Sequence, residues 1–164
     1  MTAVAARTRA DAVRNRERVV AAAAEVFREK GDAAVVPEIA ARAGVGKGTV
    51  YRCFPTKDHL VAAVATQRVR WFEGEAREAA ASDDPWGAFM RFMERIADAH
   101  CEDRGMVASM SQAIELDELL EARADAHDAL RELMERAIAD RVGPGAGRLD
   151  GHGQAAWVAG VVGC

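Results

Sequence analysis

Lys47 stands between Gly46 and Gly48, and Thr49, Tyr51 and Arg52 follow within the next few residues. Glycine bares the backbone, lysine and arginine bring cations, and threonine and tyrosine bring hydroxyls. Such a cluster suits a partner that carries phosphates. One candidate partner is a mononucleotide. Its cradle reads G-x-x-x-x-G-K-[ST] and follows a β-strand. With Gly46-Lys47 as the G-K pair, the first glycine belongs at position 41, where this chain has alanine. Gly48 occupies the Ser/Thr place, and the preceding "IAARA" has helical character. Three requirements fail, and the nucleotide reading fails with them.

The other candidate is a helix-turn-helix that meets a larger polyanion. Two short helices cross steeply through a turn that tolerates glycine. Ala40 is small enough for close helix contact, Gly44 permits the turn, and Val45 plugs the space between the helices. The second helix would enter a DNA major groove with its N-terminal residues towards base edges. Charge agrees with this. Residues 1–70 hold 13 Lys/Arg against 7 Asp/Glu, a net +6, whereas residues 71–164 carry −10. One end suits a polyanion and the other does not, or the two simply carry solvated helix faces of unlike charge.

The elements that would position this cluster are helical. Apolar residues at 20, 23, 24 and 27 share one face of a helix over about 12–30, which Gly31 stops. Pro37 suits the first turn of a short helix with Ile39, Ala40 and Ala43 inward. A third helix starts near Gly46–Lys47 and buries Val50 and Phe54. Pro55 ends it, and Thr56 caps a long fourth helix towards Ala81. Asp84 and Pro85 start a fifth with Trp86, Phe89, Met90, Met93, Ile96, Ala97 and His100 at steps of three and four. Further helices are expected around Met106–Ile114, over about 115–142, and in "QAAWVAGVVGC" after the loop "GPGAG". No segment shows clean strand alternation, so the expected class is all-α.

Residues 16–64, through "RERVVAAAAEVFREKG", "EIAARAGVGKGTVYRCFPTKDHL" and "VAAV", resemble the DNA-binding domain of the TetR family of bacterial transcriptional regulators. The resemblance implies a three-helix DNA-binding domain in residues 1–60. It implies a helical ligand-binding and dimerisation core in 61–164, shortened at its C-terminal end. It also implies contacts to a double-stranded DNA operator from Gly46, Lys47, Gly48, Thr49, Tyr51, Arg52 and Cys53, and a phosphate grip from Lys57. Tyr51 either reaches a phosphate or packs beside Phe54. Arg52 reads a guanine or holds a phosphate, and Arg14 and Arg16 reach the backbone or minor groove, or stay solvated. Val35, Val36 and Pro37 stand where Ser or Thr usually caps the second helix. Gly46 replaces a usual Ser, and Cys53 an aromatic residue or His.

The acidic part is expected to bind a small-molecule effector. Candidate lining residues are Trp86, Phe89, Met90, Met93, His100, Met110, Arg123 and His127; the apolar ones suit an adaptable pocket or a plain core, and the polar ones suit a polar group on the ligand or an internal hydrogen bond. A homodimer is expected because a palindromic operator presents half-sites about 34 Å apart. No cofactor is called for. Asp98, His100, Cys101 and Glu102 point to different helix faces and cannot converge on a metal. Cysteines 53, 101 and 164 form no C-x-x-C pair. Ser82, Ser109 and Ser111 lack a nucleophile's context, so no enzyme is indicated. No apolar run approaches the roughly 18 residues that span a bilayer, and the basic N-terminus lacks a signal peptide's apolar region, so a cytoplasmic regulator is expected. The alternatives are a helical protein-interaction module and a thiol-responsive regulator acting through Cys53.

Overall fold

The structure is a computed structural model and describes residues 2–102 and 116–142. The described residues hold six α-helices: α1 (Thr2–Lys30), α2 (Val36–Ala43), α3 (Lys47–Cys53), α4 (Lys57–Ala80), α5 (Pro85–Glu102) and α6 (Asp117–Val142). A 3₁₀ turn, Gly31–Ala33, follows α1. There is no strand among these residues. The helices expected around 106–114 and after 150 lie outside the described residues, as does Met110. The chain divides into two compact units, and the division falls within α4, after Val64.

In the first unit, α1 begins ten residues before the expected position 12. Its opening, "TAVAARTRADAV", has no glycine or proline and is rich in alanine and arginine, which are strong helix formers. Its core-facing residues are Val19, Val20, Ala22, Ala23, Val26 and Phe27. Gly31 takes φ +54 and stops the helix. α2 starts from Val35 without a side-chain cap, as expected where Ser or Thr is replaced. It buries Val36, Ile39, Ala40 and Ala43 against α1. Arg42 ties the two helices from outside: its guanidinium donates to Glu29 at 2.8 Å and 3.0 Å, and to Glu25 at 3.2 Å. That hydrogen bond holds the Glu29 carboxyl below its ordinary range, and the two glutamates push Arg42 further up. Lys30 pairs with Glu38 across the same joint.

The second unit packs α5 against α6 and the later part of α4. Asp84 caps α5 as expected, accepting from Gly87 N–H at 2.9 Å. A Cβ at Gly87 would lie 2.0 Å from Asp84 Oδ2, so a side chain there would displace the capping carboxylate. Arg136 on α6 caps the C-terminal end of α4 by donating to the carbonyls of Ala80 and Ser82. Phe72 and Phe92 meet edge to face at 5.1 Å, which suits their ring quadrupoles. Arg95 pairs with Glu75, and Arg70 with Asp125 at 3.6 Å. Among the described residues, no helix is long and apolar enough to cross a membrane.

Candidate nucleic-acid interface

The joint between α2 and α3 is set by Gly44. Its φ of +64 lies in the left-handed region that side chains disfavour. Gly44 N–H donates to Ala41 O at 3.2 Å and Val45 N–H to Ala40 O at 3.0 Å, the paired bonds of a Schellman C-cap. The chain therefore turns sharply, and Val45 folds back onto the core between the helices. These are the turn and the plug that the sequence implied.

α3 is anchored by little. Within the helix only Val50 is buried; Phe54, directly after it, is buried as well. Thr49 and Cys53, four residues apart, are half-buried, and Cys53 packs against the core. Lys47, Gly48, Tyr51 and Arg52 form the exposed face, at the i, i+3 and i+4 spacings that align side chains on a helix. Tyr51 is 50% exposed. Lys47 and Arg52 have no ion-pair or hydrogen-bond partner among the described residues. Most arginines of the second unit contrast with this, because Arg70, Arg77, Arg91, Arg95 and Arg131 are paired with carboxylates. Gly46 and Gly48 have negative φ, and nothing lies within 4 Å of where a Cβ would stand on either.

Two contacts fix this face to the rest of the unit. Arg16 on α1 lies over the Phe54 ring at 5.2 Å, a cation–π contact. Lys57, in the first turn of α4, donates to Asp32 O at 2.7 Å and sits 5.9 Å from the Phe27 ring. Its ammonium bonds the 3₁₀ turn and keeps two further donor hydrogens. Thr56 caps α4 by accepting from His59 N–H at 3.3 Å. The Lys57–Asp32 and Arg16–Phe54 contacts join residues too far apart for any local sequence pattern to announce them. Arg42 was better signalled, since Glu25 and Glu29 sit four apart on α1. Arg14 pairs with Asp11, and Arg18 donates to Asn15 at 2.6 Å.

In the second unit, α5 buries Ala88, Phe92 and Ile96. The expected stripe therefore divides. Trp86, Phe89, Met93 and His100 form a half-buried flank beside that face, while Met90 is 44% exposed and Ala97 exposed. α5 packs against α6, which buries alanines at 122, 126, 129 and 137, and Phe92 also meets Phe72 of α4. Arg123, His127, Met134 and Ile138 form a matching half-buried flank on α6. The flanks meet where Arg141 lies over the Trp86 ring at 4.8 Å. A cavity of about 360 Å³ opens on the other flank of α5, lined in part by Glu78, Ala79, Arg91, Phe92 and Arg95. None of the described ligand candidates lines it.

The family model described as bacterial regulatory proteins, tetR family, matches residues 19–64. A TetR transcription regulatory protein from Mycobacterium vanbaalenii is 38% identical, with 94% of each chain covered and a TM-score of 0.70. A TetR transcriptional regulator from Streptomyces coelicolor is 29% identical over 90% of this chain and 84% of that one, with a TM-score of 0.62. NalD, the secondary repressor of the MexAB-OprM multidrug efflux pump in Pseudomonas aeruginosa, is 28% identical over 93% of this chain and 84% of that one, with a TM-score of 0.53. No curated protein sequence matches the chain.

Proposed function

The chain belongs to the TetR family of bacterial transcriptional regulators, and from that premise we propose that it is a ligand-responsive repressor of a palindromic operator. The observation that carries this reading is the exposed face of α3. Two cations without internal partners, a half-exposed tyrosine and bare backbone share one side of a helix held by Val50 and Phe54. Lys47 and Lys57 supply phosphate attraction, Tyr51 a hydroxyl to a phosphate, and Arg52 a bidentate contact to guanine O6 and N7. A homodimer places two such faces on two half-sites of the operator. The family's setting is the cytoplasm.

The effector is a largely apolar small molecule received by the half-buried flanks of α5 and α6. Trp86, Phe89 and Met93 supply contact area there, and His100, Arg123 and His127 orient a polar group. Repression as the sign of regulation is supported by the likeness to NalD.

Fluorescence anisotropy on duplex from upstream of the chain's own gene tests the DNA reading, with random duplex as competitor and salt varied. Specific binding should weaken log-linearly with salt and be lost in Tyr51→Ala. Equal affinity for both duplexes would refute it. Quenching of Trp86 fluorescence by an apolar ligand that also releases DNA is the expected mark of the effector site.

A further inference from the structure

We infer that Arg16 is a positioning residue: its guanidinium, lying over the Phe54 ring, holds the C-terminal end of α3 against α1 and does not itself contact DNA. This rests on the DNA-binding reading above and names what keeps the reading helix at its angle.

The need for such a contact comes from the shortness of α3. A helix of about two turns is not stable by itself, so its orientation is set by the few side chains that leave it for the core. These are Val50 within the helix and Phe54 directly after it, with Thr49 and Cys53 half-buried beside them. Phe54 stands at the C-cap. Its N–H donates to Val50 O at 2.8 Å, while its own backbone is already extended, at φ −139 and ψ 98. Pro55 bars the helix from continuing. The chain leaves its helical path at Phe54, and where that ring sits decides where the end of α3 sits.

α1 delivers Arg16 to this ring. Positions 16, 19, 20 and 23 follow the spacing of one helix face, and Val19, Val20 and Ala23 are buried. Arg16 continues that row to the place where it meets solvent. It is exposed, whereas Phe54 is 4% exposed, and the guanidinium lies 5.2 Å from the ring centroid. Arginine suits such a border, because its planar head stacks on an aromatic face and stays hydrated on the other side. Its neighbours on α1 act locally: Arg14 pairs with Asp11, and Arg18 donates to Asn15 at 2.6 Å. Arg16 instead reaches across to the end of α3. Among the described residues, Lys47 and Arg52 have no internal partner of this kind. The cations of this unit thus divide into those left for the polyanion and one that holds the helix presenting them.

The test uses the full chain with Arg16→Met, which keeps an apolar stem and removes the cation, with Phe54→Leu, and with both together. The probe is the duplex that the wild-type chain selects from a random pool, titrated over a salt series well below the melting temperature. Arg16→Met should weaken binding about two- to fivefold, the size of one exposed cation–π contact, with the salt slope unchanged. Added to Phe54→Leu it should cost nothing further, because the partner ring is gone. In the DNA-free chain, amide exchange should quicken over residues 47–54 and stay unchanged over 19–27. A salt slope lowered by about one, with α3 exchange unchanged, would make Arg16 a phosphate ligand and overturn the inference. So would an unchanged affinity, or faster exchange throughout residues 19–64, which would make the contact a general brace. If Phe54→Leu does not fold, the salt slope and exchange pattern of Arg16→Met decide by themselves, since replacing an exposed side chain leaves the core intact. A wild-type chain that selects no duplex sinks the DNA reading and this inference together. One that selects a duplex equally well bound by Arg16→Met sinks only the inference.

Discussion

The two units differ in which side chains they hide. In residues 10–64 most large apolar residues go inside: Val19, Val26, Phe27, Ile39, Val50 and Leu60 are almost wholly buried, with Val13 and Val35 the exposed exceptions. What remains outside on α3 is polar. In residues 65–102 and 116–142, Phe72, Phe92, Leu119 and Leu133 are buried, but alanines make up much of the inner surface, at 76, 79, 80, 88, 122, 126, 129 and 137. Bulk stands further out, with Met90 and Leu120 each 44% exposed and Trp86, Phe89, Met93, Met134 and Ile138 half-buried. Small residues at the contact let helices approach closely, and the displaced bulk lines their flanks. The first unit has put its largest apolar side chains into its own core and offers cations on the exposed face of α3. The second leaves bulk half-buried along the flanks of α5 and α6, the surface assigned above to the proposed effector.

Removing one large core residue from each unit breaks this comparison most directly. Phe27→Ala and Phe92→Ala should each cost about 3–5 kcal/mol, since both rings are almost fully buried. If the cores are separate, amide exchange should speed up along residues 19–64 in the first variant and along 85–102 and 117–137 in the second. Loss of protection everywhere from either change would mean one cooperative core, and the contrast would collapse.

The next effects separate residues that touch DNA from residues that hold the reading face in place. Arg52→Ala should leave the melting temperature unchanged and weaken operator binding by about 1–3 kcal/mol. Lys57→Met should do both kinds of damage. It loses the bond to Asp32 O, worth about 1 kcal/mol of stability, and it removes a cation from the phosphate side. A Lys57→Met chain with full stability and weakened binding would make Lys57 a phosphate ligand alone.

The first unit was legible in the sequence because its constraints are local and few side chains satisfy them. A positive φ needs Gly44, a plug needs Val45, a helix stop needs Pro55, and a cap needs Thr56; each lies within a few residues of what it serves. The amphipathic face of α1 was equally plain, although its start was not, because alanine and arginine continue a helix without announcing its end. The second unit was legible in its caps, Asp84 and Pro85, but less so in its faces. Steps of three and four from Trp86 to His100 mark an apolar arc without saying which edge of it meets the neighbouring helix. That choice depends on α6 and on Phe72 of α4, which lie outside the segment, and it leaves Met90 and Ala97 exposed. Long-range polar contacts such as Lys57 to Asp32 were invisible for the same reason.

The smallest expected effect concerns how the first unit is laced on its outside. The Glu29 carboxyl is depressed in the folded chain chiefly by its hydrogen bond from Arg42. A depressed carboxylate contributes stability that is fully present above its unfolded value, near 4.5, and is lost as pH falls through the lower folded value. The pair is exposed, so the contribution is modest and weakened by salt. Glu29→Gln should therefore lower the melting temperature slightly at neutral pH. The gap from wild type should close as the pH drops below 4.5, while operator affinity at neutral pH stays unchanged. A gap that persists undiminished at low pH would show that Glu29 supports α2 through packing of its stem rather than through its charge. A drop in operator affinity would show that lacing α2 to α1 also sets the reading angle of α3, which would tie the outer ion pairs of the first unit to its function.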